Sequence, residues 1–367
     1  MSSGRKVTVE SLARELGLAT STVSRALNDY ADISEETRRR VREAADRVGY
    51  RIGTEPKSPR EPANAVGLVV EVWSLDISSP FFGQFLRGVT AALRRGGTDL
   101  LVASSDGPKE ALATYDYLIA ANKVDGFLLT RVRTDDPRIE LLNRRSVPFV
   151  CYGRDGKPDD YAWHDVDTAD AAARSVELLL EVGHRRIGLI QAWSAINFVR
   201  LRQEAYRSAL ATHGIEADGR LIVEAGLTAE DGARAAATLM ALDEPPTALI
   251  CDQDSLAFGA MATLRSLGLV PGRDVSLIGY GGDPFSPYSE PPLTTYSQDA
   301  ELAGRWTAEM MLAALAGTTP QILQRLRPAA LISRCSVAPP MREPAALAEL
   351  IRANAAEDET ETGGREP

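Results

Sequence analysis

Residues 7–50 read VTVESLARELGLATSTVSRALNDYADISEETRRRVREAADRVGY, and their pattern predicts three short helices. Thr8 can cap a first helix whose apolar residues recur at helical spacing until Gly17, which suits a left-handed stop. A second helix is predicted over residues 20–28, and Ser34 can cap a third whose first turn is acidic. Two short helices joined by a tight glycine-containing turn and followed by a third predict a helix-turn-helix motif.

The second predicted helix carries the side chains that DNA recognition requires. Short hydroxyl side chains approach phosphates closely, and an arginine can donate two hydrogen bonds to the edge of a guanine. This helix offers both kinds of group, in Thr20, Ser21, Thr22, Ser24 and Arg25. The alternative is that these polar residues only keep a small helical domain soluble.

The charge is divided unevenly along the chain. The whole sequence has a formal net charge of −10, yet residues 1–60 hold twelve Lys and Arg against nine Asp and Glu. The remaining residues carry all of the negative excess, so nucleic-acid binding is compatible with the first segment only.

From residue 66 onward, short apolar runs alternate with amphipathic stretches. Strands are predicted over 66–72, 100–103, 127–129, 147–151, 187–190, 248–251 and 275–278, and helices over 81–95, 169–182, 199–213, 255–267 and 300–315. This alternation predicts parallel sheets covered by helices on both faces, and its length favours two α/β subdomains. Ligands of such folds bind beyond the carboxyl ends of the strands, between the lobes.

The sequence argues against an enzyme, a metalloprotein and a membrane protein. It has no P-loop, G-x-S-x-G or H-E-x-x-H motif, and its three histidines are scattered, with His184 favoured as a turn residue. We therefore expect no catalytic residue, cofactor or metal site. The three cysteines, Cys151, Cys251 and Cys335, are predicted to be buried thiols. No apolar run could span a bilayer and the start is polar, so we expect a cytoplasmic protein.

The first 50 residues resemble the headpiece of the lactose-repressor (LacI/GalR) family of bacterial transcription regulators. The resemblance runs without a gap over about 44 residues, and TVSRALN, SEETRRRV and the closing GY are its most specific parts. It implies base reading by Thr20, Ser21 and Arg25, and phosphate contacts by Thr22, Ser24 and Asn28. Ala19 departs from the family, which usually has a capping serine there, and Thr20 would leave base contact if it took the cap.

The body resembles the effector domain of the same family, which has the fold of periplasmic sugar-binding proteins. The matching stretches include SPFFGQFLRGV, GHRRIGLI, RLRQEAY, DQDSLAFGAM, DVSLIGY and PPLTTYSQD. The resemblance implies an effector site formed by Phe81, Phe82, Thr130, Arg202, Gln253, Asp254, Asp283 and Gln298. A guanidinium and several amides suit sugar hydroxyls, and an aromatic face suits the C–H surface of the ring. If Arg202 is buried, it needs ligand hydroxyls or a carboxylate such as Asp254 or Asp283.

The usual carboxylates of sugar-binding members are partly missing, which leaves the effector open between a disaccharide, a phosphorylated sugar and an unrelated molecule. Cys151 stands where a cleft aspartate is common, and Asp283 or Asp165 is the candidate replacement. Gln298 has an alternative role, because it could cap the helix that begins near Asp299.

The fold class that follows is an all-α helix-turn-helix headpiece before an α/β periplasmic-binding-protein-like domain of two parallel-sheet subdomains. We predict a headpiece over 1–53, a proline-rich linker over 54–64, an effector-binding and dimerisation domain over 65–340, and a tail over 341–367. Within the effector domain, the N-subdomain takes about 65–164 and 299–327 and the C-subdomain about 165–298 and 328–340.

Two segments depart from the family pattern. Where DNA-bending members carry a hinge helix, this chain has Pro56 and Pro59, which disfavour a regular helix. The tail predicts one short helix over 344–354 and then a disordered acidic end.

The resemblance implies a homodimeric transcription regulator that binds a pseudo-palindromic operator. We expect a repressor of carbohydrate uptake or breakdown genes, controlled by a sugar in the inter-lobe cleft. A corepressor-dependent regulator, or an activator with a non-sugar effector, stays open. A solute-binding protein is disfavoured by the headpiece.

Overall fold

The computed structural model describes residues 9–27, 33–47, 62–71, 79–193 and 195–363. The chain divides into two units between residues 61 and 62. The linker prolines Pro56 and Pro59 lie outside the described residues, so the hinge prediction stays a prediction.

The first unit contains the three predicted helices. They are α1 (Val9–Leu16), α2 (Thr20–Leu27) and α3 (Glu35–Arg47). Gly17 ends α1 with a φ of +64°, and the Ser34 hydroxyl accepts a hydrogen bond of 3.3 Å from the Thr37 amide at the start of α3. The glycine stop and the serine cap are therefore confirmed, whereas Thr8 lies outside the described residues.

One small apolar core holds the three helices together. Leu12 of α1, Val23 of α2 and Val41 of α3 have no exposed surface, and Ala26 and Ala44 pack against them. Because Val23, Ala26 and Leu27 of α2 are buried in this core, the exposed residues Thr20, Ser21 and Arg25 lie on its outer face.

The second unit alternates strands with helices and ends in a long helix. Its strands are β1 (Ala65–Glu71), β2 (Asp99–Ser105), β3 (Gly126–Leu129), β4 (Phe149–Tyr152), β5 (Ala162–Asp167), β6 (Ile187–Gln191), β7 (Ile222–Glu224), β8 (Ala248–Cys251), β9 (Ser276–Gly281), β10 (Thr294–Ser297), β11 (Gln324–Pro328) and β12 (Ala330–Ile332). Its helices are α4 (Pro80–Arg95), α5 (Pro108–Ala120), α6 (Pro137–Arg145), α7 (Thr168–Glu181), α8 (Asn197–Thr212), α9 (Ala229–Met240), α10 (Asp254–Ser266), α11 (Ala300–Leu315) and α12 (Pro344–Gly363).

In the described part of the chain, the strands form two six-stranded sheets. The first has the order β11-β5-β4-β3-β1-β2, and the second has the order β12-β10-β9-β8-β6-β7. Every neighbouring pair is parallel except β10 and β12. We call the sheet containing β1, with the helices packed on it, the first lobe, and the sheet containing β6 with its helices the second lobe. The predicted fold class is confirmed.

The described chain passes between the lobes three times. The crossings follow β5, β10 and β11, so the last strands of the sequence, β11 and β12, each complete a different sheet. Central strands such as β1, β3, β6 and β8 are short apolar runs, because helices cover both faces of each sheet.

Helices α4 and α11 of the first lobe approach each other closely because glycines face each other. A Cβ atom added to Gly88 would lie 2.0 Å from the Glu301 carbonyl oxygen, and one added to Gly304 would lie 2.1 Å from the Phe85 carbonyl oxygen. This contact matters for the cleft, since α4 begins at its rim.

The C-terminal tail differs from the prediction. The prediction that its helix ends at Asn354 is wrong, because α12 continues to Gly363. Alanine and glutamate are the most frequent residues directly after Asn354, and both have a high intrinsic helix propensity. This propensity extends the helix into a segment whose acidic composition had predicted disorder. Leu347 of α12 is fully buried in the second lobe, and the Asn354 side chain donates a hydrogen bond of 2.8 Å to the Leu267 carbonyl.

The cysteine prediction holds for two of three residues. Cys151 and Cys251 are buried, whereas Cys335 is exposed. Cys335 follows the edge strand β12, where the chain leaves the sheet, and the apolar character of its neighbours does not decide burial there.

Candidate functional site

The outer face of α2 is the candidate DNA-binding surface of the first unit. Thr20, Ser21 and Arg25 are exposed on it, and Thr22 is half-buried. Ser24 lies in the same helix, and Asn28 lies outside the described residues. The structure thus brings the three predicted base-reading residues to one accessible face.

The start of α2 resolves the capping alternative for Thr20. The Val23 amide donates a hydrogen bond of 3.1 Å to the Ala19 carbonyl, so Ala19 occupies the N-cap position. Thr20 is the first residue inside the helix. Its hydroxyl is therefore not required as the cap, and it stays available for an external partner.

All eight predicted effector residues line one cavity between the two lobes. They come from the carboxyl ends of strands and the helix starts that follow, which is where ligands of parallel α/β sheets bind. Thr130 follows β3, Gln253 follows β8, Asp283 follows β9, and Gln298 follows β10.

One wall of this cavity is aromatic. The ring centroid of Phe81 lies 6.0 Å from that of Tyr152 in a stacked arrangement, and the Phe85 ring lies 5.2 Å from Tyr152. Phe82 faces the core of the first lobe, with only 7% of its surface exposed, so Phe81 is the phenylalanine of this pair that presents its ring to the cavity. We call Phe81, Phe85 and Tyr152 the aromatic wall.

Tyr152 also links the two lobes. Its hydroxyl donates a hydrogen bond of 2.8 Å to the Gln298 side-chain oxygen. Gln298 does not cap α11, since the Asp299 carboxylate accepts from the Leu302 amide at 3.1 Å and fills that role. The Gln298 side chain therefore lines the cavity instead of capping a helix.

Arg202 enters the cavity from α8 and is 6% exposed. Its Nη1 donates to the Asp252 carbonyl oxygen at 2.8 Å and lies 3.2 Å from the Asp252 carboxylate, while its Nε donates to the Thr168 hydroxyl. The Tyr280 ring covers one side of the guanidinium at 3.6 Å and the Phe198 ring contacts it at 4.7 Å. The arginine is thus held in one orientation before any ligand binds.

The partner of Arg202 differs from the prediction. The expectation was that a buried Arg202 is matched by ligand hydroxyls or by a carboxylate such as Asp254 or Asp283; a carboxylate does match it, but that carboxylate belongs to Asp252 and not to either named residue. Asp252 directly follows β8 and also accepts a hydrogen bond of 3.0 Å from the Ala192 amide, so its carboxylate is directed toward the segment that leads into α8. Asp254 is the first residue of α10 and points the other way.

Asp254 orders the loop after β9. Its carboxylate accepts hydrogen bonds from the Asp283 amide at 2.6 Å, the Ser286 hydroxyl at 3.0 Å and the Thr295 hydroxyl at 2.6 Å. Burial raises the pKa of Asp254 despite these donors. Asp254 therefore supports the position of Asp283, whose own pKa is also raised by burial.

Asp165 is a further buried carboxylate of the cavity. It accepts a hydrogen bond of 3.0 Å from Arg154 Nε and one of 2.8 Å from the Val166 amide. Burial raises its pKa to about 6, although Arg154 and Arg202 act in the opposite direction.

The polar site residues that were not predicted include Tyr152, Arg154, Thr168, Asp252 and Tyr280. Each lies at the end of a strand or the start of a helix, so strand-end position was the available signal. The strand β5, AWHDVD, was not predicted because its polar residues interrupt the apolar run. Once β5 is known, Asp165 near its carboxyl end and Thr168 directly after it are expected at the edge of the sheet where ligands bind.

His184 has a structural role. His184 lies within 2.9 Å of the Thr247 hydroxyl and 3.0 Å of the Ser276 hydroxyl, as expected for a turn residue. Among the described residues, no cluster of three or more His, Cys, Asp or Glu side chains is placed to hold a metal ion. Within the same residues, no helix is long and apolar enough to cross a membrane.

The chain matches two family models. Residues 8–52 match the model for bacterial regulatory proteins of the lacI family, and residues 176–337 match the model for a periplasmic binding protein-like domain.

Similar proteins of known function and structure match over nearly the full length. The HTH-type transcriptional regulator AglR of Rhizobium meliloti (strain 1021) is 35% identical over 346 residues, which cover 92% of this chain and 96% of AglR. The HTH-type transcriptional repressor CytR of Escherichia coli (strain K12) is 30% identical over 331 residues, covering 90% and 96%. A solved complex of the transcriptional regulator CelR with cellobiose superposes with a TM-score of 0.69 at 28% identity, covering 90% of this chain and 100% of that chain.

Proposed function

The chain belongs to the LacI family of bacterial regulatory proteins, and we propose that it represses carbohydrate uptake or breakdown genes under the control of a sugar. As a member of this family, it is a DNA-binding transcriptional regulator rather than an enzyme. The observation that carries the proposal is the convergence of eight residues, predicted as effector ligands, on one inter-lobe cavity. That cavity belongs to a chain whose first residues form a helix-turn-helix.

The DNA partner is read by the exposed face of α2. Arg25 is the one residue on this face that can donate two hydrogen bonds to a guanine, and Thr20 and Ser21 have hydroxyls within reach of base edges. Thr22, Ser24 and Asn28 contact phosphates. A homodimer places two such helices on the halves of a pseudo-palindromic operator, and a cytoplasmic location gives it access to the chromosome.

The effector is a sugar bound between the lobes. Arg202, Gln253, Asp283 and Gln298 supply directional donors and acceptors for hydroxyl groups, and the aromatic wall packs against the C–H face of a ring. The relative CelR was solved with cellobiose, which supports a sugar as the ligand class. Since the cavity is lined by both lobes, an effector that favours one angle between them biases the operator-bound state.

The experiment is a mobility-shift assay on genomic fragments, with and without a panel of sugars. A repressor of the proposed kind binds a discrete fragment and is released by a sugar. Binding that requires the sugar indicates a corepressor instead, and raised transcription from the bound fragment indicates an activator. A chain that binds sugar but no DNA fragment behaves as a solute-binding protein, and the proposal fails.

A further inference from the structure

We propose that the effector is a neutral saccharide of two rings, that the rings occupy two adjoining chambers of the cleft, and that Trp193 contacts the second ring. The proposal rests on the proposed function, because it names the class of effector that the same cleft binds.

The cleft consists of two chambers. The first is the cavity that contains the aromatic wall and Arg202. The second is lined by Glu71, Arg133, Trp193 and Ile196 among others. Thr130 and Arg131 line both cavities, so the chambers adjoin at the carboxyl end of β3. The proposal places the link between the two rings of the ligand beside these residues.

The second chamber also lies between the lobes. Glu71 ends β1 of the first lobe, whereas Trp193 and Ile196 follow β6 of the second lobe. The backbones of the lobes join beside it: Arg133 and Ile196 form an antiparallel bridge, and the Asn197 amide donates a hydrogen bond of 3.0 Å to the Val132 carbonyl. A ring bound there contacts both lobes, as the first ring does.

Each chamber offers an aromatic surface. The first has the stacked rings of Phe81 and Tyr152 besides the rings of Tyr280 and Phe198, and the second has the half-buried indole of Trp193. Aromatic rings bury large apolar areas at low entropic cost, and a pyranose ring presents an apolar C–H face with hydroxyls around its edge. A sugar ring in either chamber therefore has an aromatic surface to pack against.

The cations of the cleft already have partners, which disfavours an anionic ligand. In the first chamber, Arg202 lies 3.2 Å from the Asp252 carboxylate and Arg154 lies 3.0 Å from the Asp165 carboxylate. Because both the Nε and Nη1 atoms of Arg202 are occupied, and aromatic rings cover its plane, the guanidinium cannot clasp a phosphate with two parallel bonds.

The second chamber shows the same compensation. Arg133 lies 2.5 Å from the Glu71 carboxylate, and Arg138 lies 2.6 Å from the Asp136 carboxylate. Arg131, at the junction, also has an interaction partner. A phosphate or carboxylate bound beside Arg133, Arg138, Arg154 or Arg202 would therefore have to displace the carboxylate already paired with that arginine, which is costly.

Neutral hydrogen-bonding groups remain for sugar hydroxyls. Gln253 precedes α10 without a side-chain hydrogen bond to that helix, so its amide is not spent on capping. An amide both donates and accepts, which suits a hydroxyl pair better than it suits an anion.

The test is calorimetry on the full-length protein with six disaccharides: maltose, cellobiose, sucrose, lactose, trehalose and melibiose. Each is compared with its constituent monosaccharides and, for sucrose and trehalose, with the 6-phosphate. We expect at least one neutral disaccharide to bind about tenfold or more tightly than its monosaccharides and its phosphate, since the second ring adds a buried contact.

Variants at the second chamber locate that contact. Trp193→Ala should weaken disaccharide binding about tenfold while changing monosaccharide binding less than about threefold. Trp193→Phe, which keeps a flat ring, should retain most of the affinity. Tyr117→Ala removes a ring that is 63% exposed on α5 and serves as the matched control, with no expected effect.

Several results would overturn the proposal: tighter binding of a phosphorylated sugar, equal binding of a monosaccharide, binding of none of the six disaccharides, or an unchanged disaccharide affinity in Trp193→Ala. The proposed function is judged separately, by operator binding. If a different small molecule releases the operator and Arg202→Ala abolishes that release, the regulator function stands and only the two-ring neutral class fails.

Discussion

Arg25 on the recognition helix and Arg202 in the cleft are the same side chain in opposite surroundings. Arg25 lies exposed on the outer face of α2, whereas Arg202 is 6% exposed, bonded to Asp252 and Thr168, and covered by Tyr280. An exposed arginine adds little to folding and can adapt to its partner, while a buried one must be matched within the protein. Substitutions on the DNA-binding surface should therefore leave stability unchanged. Substitutions in the cleft, where side chains are already oriented before a ligand binds, should lower both stability and binding.

The largest expected effect comes from replacing Arg202, the buried arginine of this comparison. Arg202→Ala should lower effector affinity at least about tenfold, because charge-assisted hydrogen bonds are lost. It should also lower the free energy of unfolding by about 3 kcal/mol, since Asp252 loses its buried counter-charge. Calorimetry with an identified effector and urea unfolding measure the two effects. Operator binding without effector should survive, so a repressor becomes non-inducible and a corepressor-dependent regulator becomes constitutively derepressed.

A double variant separates stability from binding at this position. Arg202→Met with Asp252→Asn removes both charges and should recover most of the lost stability, because no unpaired charge remains. Effector affinity should stay low. If the double variant regains effector binding, Arg202 is only a structural residue.

Replacing the exposed Arg25 should weaken operator binding without lowering the stability of the protein. Arg25→Ala should weaken operator binding by about 1 to 3 kcal/mol and binding to random DNA much less, since only the base contact is lost. The melting temperature should not change. Fluorescence anisotropy on both DNAs measures the difference, with Arg40→Ala on α3 as an exposed control. Equal loss on operator and random DNA for Arg25→Ala would make it a phosphate contact.

Burial of charge in the cleft also predicts a pH dependence that the exposed helix lacks. Burial raises the pKa of Asp165 to about 6, above its ordinary value of 3.8, so the folded protein binds a proton that the unfolded chain releases between these values. The contribution of Asp165 to the free energy of unfolding should therefore rise by about 1 kcal/mol as the pH falls from 7 to 5, and it is opposed by the buried His164, whose pKa burial lowers to about 4. Thermal unfolding at both pH values isolates this contribution, because the stability of the native protein relative to Asp165→Asn should rise by about 1 kcal/mol between pH 7 and pH 5. An identical pH dependence in the variant would show that Asp165 is not the group responsible.

The smallest expected effect concerns the linker. If Pro56 and Pro59 prevent a regular hinge helix, the regulator bends its operator weakly, and replacing both by Ala should change affinity less than about threefold. A circular-permutation gel measures the bend. A strong central bend in the unmodified protein would contradict this prediction.

The sequence predicted the arrangement of elements better than the chemistry inside the cleft. Alternating apolar runs and capping residues such as Ser34 report local structure, so α1 to α3 and the central strands were located within a few residues. The resemblance identified Arg202 as a ligand residue, but not its partner. Choosing Asp252 over Asp254 depends on which way the turn after β8 points, and neighbouring residues in the sequence do not reveal this.

Strands with polar residues were harder to predict than apolar ones. β5 contains His164 and Asp165, and β10 reads TTYS, so neither shows an apolar run, although tertiary contacts bury both. The aromatic wall was missed in part for a related reason. Tyr152 ends β4 and has the sequence pattern of a strand residue, and only its tertiary contacts, with Phe81, Phe85 and Gln298, mark it as part of the cleft.

The position of β11 and β12 at the end of the fold has a consequence for synthesis. A ribosome releases the chain from its N-terminal end, and neither sheet has its last edge strand until residues 324–332 have left the exit tunnel. The two lobes should therefore mature together and late, whereas the described core of the headpiece lies within residues 12–45 and can form as soon as these have emerged. A nascent regulator thus gains a helix-turn-helix long before it gains a finished effector domain.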